Sequence, residues 1–253
     1  MREFISKMFR KPLSVELLPA GERVYAFGDI HGRHDLLADL FVLIEKDLIN
    51  SHCLNKVTFV FLGDYIDRGF QSRQVVDLLA RQDWGGINVV FLRGNHEQTM
   101  LDFLSDARVG PQWMDYGGKE TLASYGVALP PPLADEVSWH ETSQSLLEAL
   151  PSNHLEFLRS LKVFYQVGNC YFVHAGVDPS RSFDEQTDDD RLWIRDRFLD
   201  DTRKLEKVVV HGHTPESGAI WDGRRIGVDT GAYITNKLTA AKIEGRSVDF
   251  VST

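Results

Sequence analysis

The chain has 253 residues, 43% of them hydrophobic, which is enough for one large domain or two small ones with a real core. Its 28 basic and 37 acidic side chains leave a formal charge of −9, which argues against nucleic-acid binding through a broad basic surface. No apolar run reaches the roughly 18 residues of a membrane span. Two cysteines, Cys53 and Cys170, without Cys-x-x-Cys spacing, argue against a disulfide framework and a structural zinc site, and they suit a reducing, cytoplasmic setting.

Residues 1–20 carry Arg2, Lys7, Arg10 and Lys11 but no apolar stretch, so they read as a tail rather than a secretory signal. A single domain is expected over 21–253. The apolar run 24–27 predicts a strand ending in Gly28-Asp29-Ile30-His31-Gly32, and 34–50 has helical spacing through Leu36, Leu37, Leu40, Phe41 and Ile44. The same unit recurs twice. A strand at 57–62 ends in Gly63-Asp64-Tyr65-Ile66-Asp67-Arg68-Gly69, followed by a helix over 72–80. A strand at 88–92 ends in Arg93-Gly94-Asn95-His96-Glu97, followed by a helix from Gln98. Strand, Gly-bracketed polar loop and helix, three times over, is a βαβαβ pattern.

The pattern breaks at 106–150, where Gly110-Pro111, Gly117-Gly118 and Pro130–Pro132 mix with Trp113, Tyr116, Tyr125 and Trp139. This reads as a helical and looped insertion overhanging the loops, a natural place for substrate selectivity. Ser152 looks like the N-cap of a helix running to about Leu161. A hairpin around Gly168 ends at His174-Ala175-Gly176. The run Asp188–Asp190 reads as a solvated loop before a short helix over 191–198. A β-branched strand at 208–210 ends at His211-Gly212-His213-Thr214-Pro215, and four further short strands fill 219–251. A βα front half and a β-rich back half predict an α/β fold, with a central β-sandwich of two mixed sheets flanked by α-helices.

In open α/β sheets, ligands bind outside the carboxyl ends of the strands, so these loops should converge. They bring together Asp29, His31, Asp64, Asn95, His174 and one of His211 or His213. Six ligands exceed the need of one catalytic zinc and suit two metals sharing a carboxylate. The mixed imidazole, carboxylate and carbonyl set fits Mn, Fe or Zn better than Ca or Mg. Two such metals about 3.5–4 Å apart can bridge a hydroxide and clamp a phosphate for in-line attack. His96 heads a helix and can face a bound phosphate without binding metal. A neighbouring Asp67 would orient its ring and stabilise the protonated form, giving a general acid. Arg68, Arg93 and Arg195 offer the planar fork that suits phosphate oxygens.

The five segments Gly-Asp-Ile-His-Gly, Gly-Asp-Tyr-Ile-Asp-Arg-Gly, Arg-Gly-Asn-His-Glu, His-Ala-Gly and Gly-His-Thr-Pro, in this order over about 24–232, resemble the phosphoprotein phosphatase family of calcineurin-like metallophosphoesterases. Trp193-Ile194-Arg195 and Asp229-Thr230-Gly231 make the short bacterial and phage lambda-type branch the nearest in pattern. The resemblance implies a calcineurin-like metallophosphatase fold and two divalent ions, Mn²⁺ in the first place. Asp29, His31 and Asp64 would hold one ion, and Asp64, Asn95, His174 and His213 the other, since the family's ligand is the His between Gly and Thr. It implies His96 as general acid with Asp67 as partner, and Arg68, Arg195 and Arg93 as phosphate contacts. Glu97 is read as bracing the loop. The implied activity is serine/threonine protein phosphatase, with phosphotyrosine as a further substrate, acting on phosphorylated protein or peptide as a monomer. The rivals are dinucleoside tetraphosphate hydrolysis and non-catalytic phosphopeptide binding. The presence of Asp67 before Arg68, and of Glu97 at the end of the third motif, favours the phosphatase pattern over the dinucleotide branch.

Overall fold

A computed structural model describes residues 16–50 and 56–253. The expected basic tail through residue 15 and the Cys53 loop lie outside the described residues. Five strands form a first sheet in the order β10-β9-β1-β2-β3. Its parallel centre is β1 (Glu22–Phe27), β2 (Lys56–Phe61) and β3 (Asn88–Phe91), crossed over by α1 (His34–Ile49) and α2 (Ser72–Arg81). The antiparallel pair β9 (Thr239–Glu244) and β10 (Ser247–Ser252) extends it beside β1. A second five-stranded sheet has the order β4-β5-β6-β8-β7. Here β5 (Cys170–Val173), β6 (Val208–His211) and β8 (Arg225–Gly227) run parallel between antiparallel edges β4 (Phe164–Val167) and β7 (Ile220–Trp221). Both sheets are mixed, as expected.

The central strands β1, β5, β6 and β8 are buried along nearly their whole length, and strand alternation sorts side chains between two cores. Val24, Ala26, Val60, Leu62 and Val90 of the first sheet pack between the sheets with Phe172, Val208, Val210 and Ile226 of the second. Their neighbours Tyr25, Phe27, Phe59 and Phe61 turn outward, under α1, α2 and α3 (Asn95–Ser105). Each such buried aromatic or aliphatic chain contributes about 2 kcal/mol of transfer free energy. Leu17 and Leu18, placed with the tail by sequence, are fully buried in the inter-sheet core, with both backbone N–H groups on the Gly245 carbonyl.

The insertion is mainly helical: α4 (Gly110–Asp115), α5 (Gly118–Ser124) and α6 (Glu136–Ala149). Three local expectations are corrected. The third helix starts at Asn95, three residues earlier than predicted, so that His96 and Glu97 lie in its first turn. Pro151, with extended ψ, is the N-cap of α7 (Ser152–Ser160), and Ser152 is already helical. The acidic run is the first turn of α8 (Asp188–Trp193), capped by Thr187. The chain then breaks at Ile194-Arg195 before α9 (Asp196–Leu199), because carboxylates favour a helix N-terminus and the extended Ile194 stops the first helix. No helix of the described residues is long and apolar enough to cross a membrane.

Candidate metal centre

The loops after β1, β2, β3, β5 and β6 meet at one rim. Among the described residues, seven non-glycine residues have positive φ, and five of them are His31, Asp64, Asp67, Arg68 and His213. A left-handed conformation costs a non-glycine residue about 1–2 kcal/mol, so the surrounding structure must hold these loops. Glu97 supplies much of that hold. Its carboxylate accepts from the backbone N–H of Asp64 (2.9 Å), Tyr65 (2.8 Å) and Gly94 (2.9 Å). Burial and the nearby Asp64 push this carboxyl up to about 8. At Gly94 any Cβ would run into the Asp64 carboxylate and backbone, so only glycine lets the second and third loops touch.

Asp64 sits at the middle of the rim, 2% exposed. Its Oδ2 lies 3.6 Å from His31 Nε2 and 3.8 Å from His96 Nε2, and its Oδ1 lies 3.4 Å from His174 Nε2. Burial raises the Asp64 carboxyl, but His174, His96, His31 and His213 outweigh it and hold it well below the carboxylate range. Two groups of candidate ligand atoms, each within 4.8 Å of one another, share this residue: His31, Asp64 and His96, and Asp64, His174 and His213.

The second group has the chemistry of a cation site. His174 Nδ1 faces the Leu62 carbonyl at 2.9 Å, which takes the ring proton there and leaves Nε2 as a lone pair. That Nε2 lies 2.9 Å from Asn95 Oδ1 and 3.1 Å from His213 Nδ1. His213 Nε2 is buried without a hydrogen-bond partner. Burial lowers the basicity of both rings, and with His174 beside it His213 falls to about 2. Neutral imidazoles, an amide oxygen and an ionised carboxylate facing inward fit a divalent metal better than they fit one another. His31 is similar: its Nδ1 meets the Ile66 carbonyl at 2.9 Å, and burial together with His96 lowers it well below the usual range.

His96 differs. Its Nδ1 is 2.7 Å from Asp67 Oδ2, and Asp64 and Asp67 together overcome burial to raise it. Asp29 lies outside both compact groups and accepts the His213 backbone N–H at 3.0 Å; burial, Asp229 and Asp64 push its carboxyl well up. Of the three arginines, two reach the rim. Arg68 Nη1 is 3.1 Å from His31 Nε2 with its guanidinium over the Tyr233 ring, and Arg195 donates to the His213 carbonyl at 3.2 Å. Arg93 is bonded elsewhere. Its guanidinium donates to Gln98 Oε1 (2.9 Å) and to the carbonyls of Arg159 and Leu161 at the end of α7. Next to a ligand loop in sequence, it is spent on a helix C-terminus. His211 is buried against Arg225 and the Gly212 carbonyl, outside both groups.

Sequence reasoning missed several neighbours. Asp229, 4% exposed, lies close enough to raise Asp29. Tyr233 packs edge-on to His31 at 5.2 Å, and Tyr116 lies 6.0 Å from the His96 ring. A cleft of about 410 Å³ opens between Arg68, Tyr116, Lys119 and Tyr233. Trp113 and Thr121 of the insertion bond directly to Asp67. Only Asp229 carried a motif signal, in Asp229-Thr230-Gly231.

A buried carboxylate is thus shared by two groups of candidate metal ligands, with Arg68 and Arg195 bonded beside them. Residues 22–243 match the calcineurin-like phosphoesterase model, and the chain belongs to that family. A segment of 92 residues, 36% of this chain, is 34% identical to serine/threonine-protein phosphatase T of Aspergillus oryzae and spans 18% of that protein's length. The fold also matches a solved structure provisionally named a diadenosine tetraphosphatase, with TM-score 0.60 and 23% identity over 94% of this chain and 96% of that one. The cold-active protein-tyrosine phosphatase of a psychrophilic Shewanella matches with TM-score 0.59 and 15% identity over 94% and 82%.

Proposed function

We propose that this protein is a metal-dependent phosphomonoesterase that removes phosphate from phosphoserine and phosphothreonine side chains of proteins, with phosphotyrosine as a further substrate. The observation that supports this reading most directly is the buried His96–Asp67 pair, 2.7 Å apart beside Asp64. Hydrolysis of an alkyl phosphate monoester needs a proton for its alkoxide leaving group, and a site built only to bind phosphate does not. The segment similar to a serine/threonine phosphatase supports the substrate class.

Asp29, His31 and Asp64 are the proposed ligands of one divalent ion, and Asp64, Asn95, His174 and His213 those of a second. Such ions, with Mn²⁺, Fe or Zn all suited to the donors, would supply Lewis acidity toward the phosphoryl oxygens and toward water. The chain's residues do the rest. Arg68 and Arg195 orient the phosphate through charged, planar donors. His96 holds a proton at Nε2 and gives it to the departing oxygen, while Asp67 keeps Nδ1 protonated and the ring in place. Glu97 fixes the loop on which both ligand and acid stand.

The test is an assay of the Mn²⁺-loaded protein against phosphoserine, phosphothreonine and phosphotyrosine peptides and a dinucleoside tetraphosphate. The phosphoserine and phosphothreonine peptides are expected to be turned over with the highest kcat/KM. A preference for the dinucleotide would overturn the proposal.

A further inference from the structure

Asp67 is fully buried, and its carboxylate takes donors from two separate parts of the chain. His96 Nδ1 reaches Oδ2 at 2.7 Å from the first turn of α3. Trp113 Nε1 donates to the same Oδ2 at 2.9 Å from α4, and Thr121 Oγ1 donates to Oδ1 at 2.6 Å from α5. The Thr121 hydroxyl also accepts the Asp67 backbone N–H at 2.9 Å, so one side chain pins both ends of the residue. Ser72 Oγ takes the same N–H at 3.1 Å. The backbone between α4 and α5 joins in, because Arg68 N–H donates to the Gly117 carbonyl at 3.1 Å. Gly117 has φ 103°, and a Cβ there would meet the Arg68 backbone and side chain, so a side chain would push this wall off the loop.

The donors are themselves held. Trp113 is fully buried, with its ring 5.1 Å from Phe103 of α3 and the face of Gly118 against it. Thr121 is fully buried as well. Two rigid donors on two different oxygens fix the rotation of the Asp67 carboxylate. They leave an Oδ2 lone pair aimed at His96 Nδ1, which in turn sets where His96 Nε2 points.

We infer that Trp113 and Thr121 are positioning residues for the leaving-group acid, and that the 106–150 insertion is part of the catalytic machinery as well as a wall of the cleft. This inference rests on the reading of His96 as the acid. Neither residue touches substrate; each acts through Asp67 on the His96 proton. Loss of one hydrogen bond to a charged group should slow a step that needs the proton by on the order of 10-fold, and should spare a step that does not.

The experiment compares kcat on a phosphoserine peptide, whose alkoxide must be protonated, with kcat on p-nitrophenyl phosphate, whose leaving group need not be. It is run on the metal-loaded wild type, Trp113→Phe, Thr121→Val, Thr121→Ser and His96→Asn. Trp113→Phe and Thr121→Val are expected to lower the peptide rate about 10-fold relative to the p-nitrophenyl rate with KM unchanged. Thr121→Ser should restore the wild-type ratio, and His96→Asn should show a larger loss in the same direction. If His96→Asn is selective but Trp113→Phe and Thr121→Val slow both substrates equally or neither, the positioning role is wrong. If His96→Asn shows no selectivity, the acid assignment itself fails. Two separate donors are tested so that a variant that does not fold leaves the other to decide.

Discussion

His174, directly after β5, and His96, in the first turn of α3, face the same rim, are equally buried and both lie within 4 Å of Asp64, yet their Nδ1 atoms have different partners. His174 meets a backbone carbonyl, and His96 meets a carboxylate. Burial pulls both rings toward the neutral form. It prevails at His174, while Asp64 and Asp67 reverse it at His96. A carbonyl fixes the tautomer without adding charge and leaves a lone pair for a metal. A carboxylate stabilises the imidazolium and makes a proton carrier. The two rings differ in the partner on Nδ1 and in the direction of their shift, and the roles proposed for them follow that difference.

Asp64→Asn removes the charge that both histidines face, and turnover should fall on the order of 10³-fold or more, with metal lost from both positions as measured by elemental analysis. A fully metallated variant would contradict the shared-ligand reading. Next in size, His96→Asn should cost about 10²–10⁴-fold in kcat on phosphoserine peptide, the usual worth of a general acid. An unchanged rate removes His96 from that role.

A smaller effect separates the arginines. Arg68→Ala should raise KM about 10-fold, as loss of a charged phosphate contact does. Arg93→Ala should leave KM alone and lower stability by about 1–2 kcal/mol in a urea titration, because its donors serve the end of α7. A KM change with Arg93→Ala would restore the contact first expected of it. The smallest effect belongs to His211, a third kind of buried imidazole, held at about 3 by burial and then by Arg225. His211→Gln should keep kcat within about twofold and lose about 1 kcal/mol of stability; a large loss of kcat would place it in the site.

The arginines also show how far the sequence reached. The meeting of Asp29, His31, Asp64, Asn95 and His174 at one rim was legible because each stands where an apolar run stops at a glycine-bracketed loop, and strand ends converge. The two mixed sheets followed from the same periodicity. Arg93, expected at the phosphate from its place beside Asn95, bonds Gln98 and the carbonyls that end α7, because adjacency in sequence says nothing about direction. Trp113, Thr121, Tyr116 and Tyr233 carried no motif. Their roles depend on how an irregular insertion and a short helix, α10 (Ala232–Thr235), fold back onto a loop distant in sequence. Leu17 and Leu18 were read with a basic tail because a two-residue apolar step has no periodicity to detect.

If His174 holds metal and His96 holds a proton, the two rings should respond differently to removal. The most direct test is the metal content, per folded chain, of wild type, His174→Asn and His96→Asn after Mn²⁺ loading and removal of free ion. Two ions per chain are predicted for wild type and for His96→Asn, and fewer for His174→Asn. Loss of metal from His96→Asn would make His96 a ligand, in line with its proximity to His31 and Asp64, and would contradict its role as proton carrier.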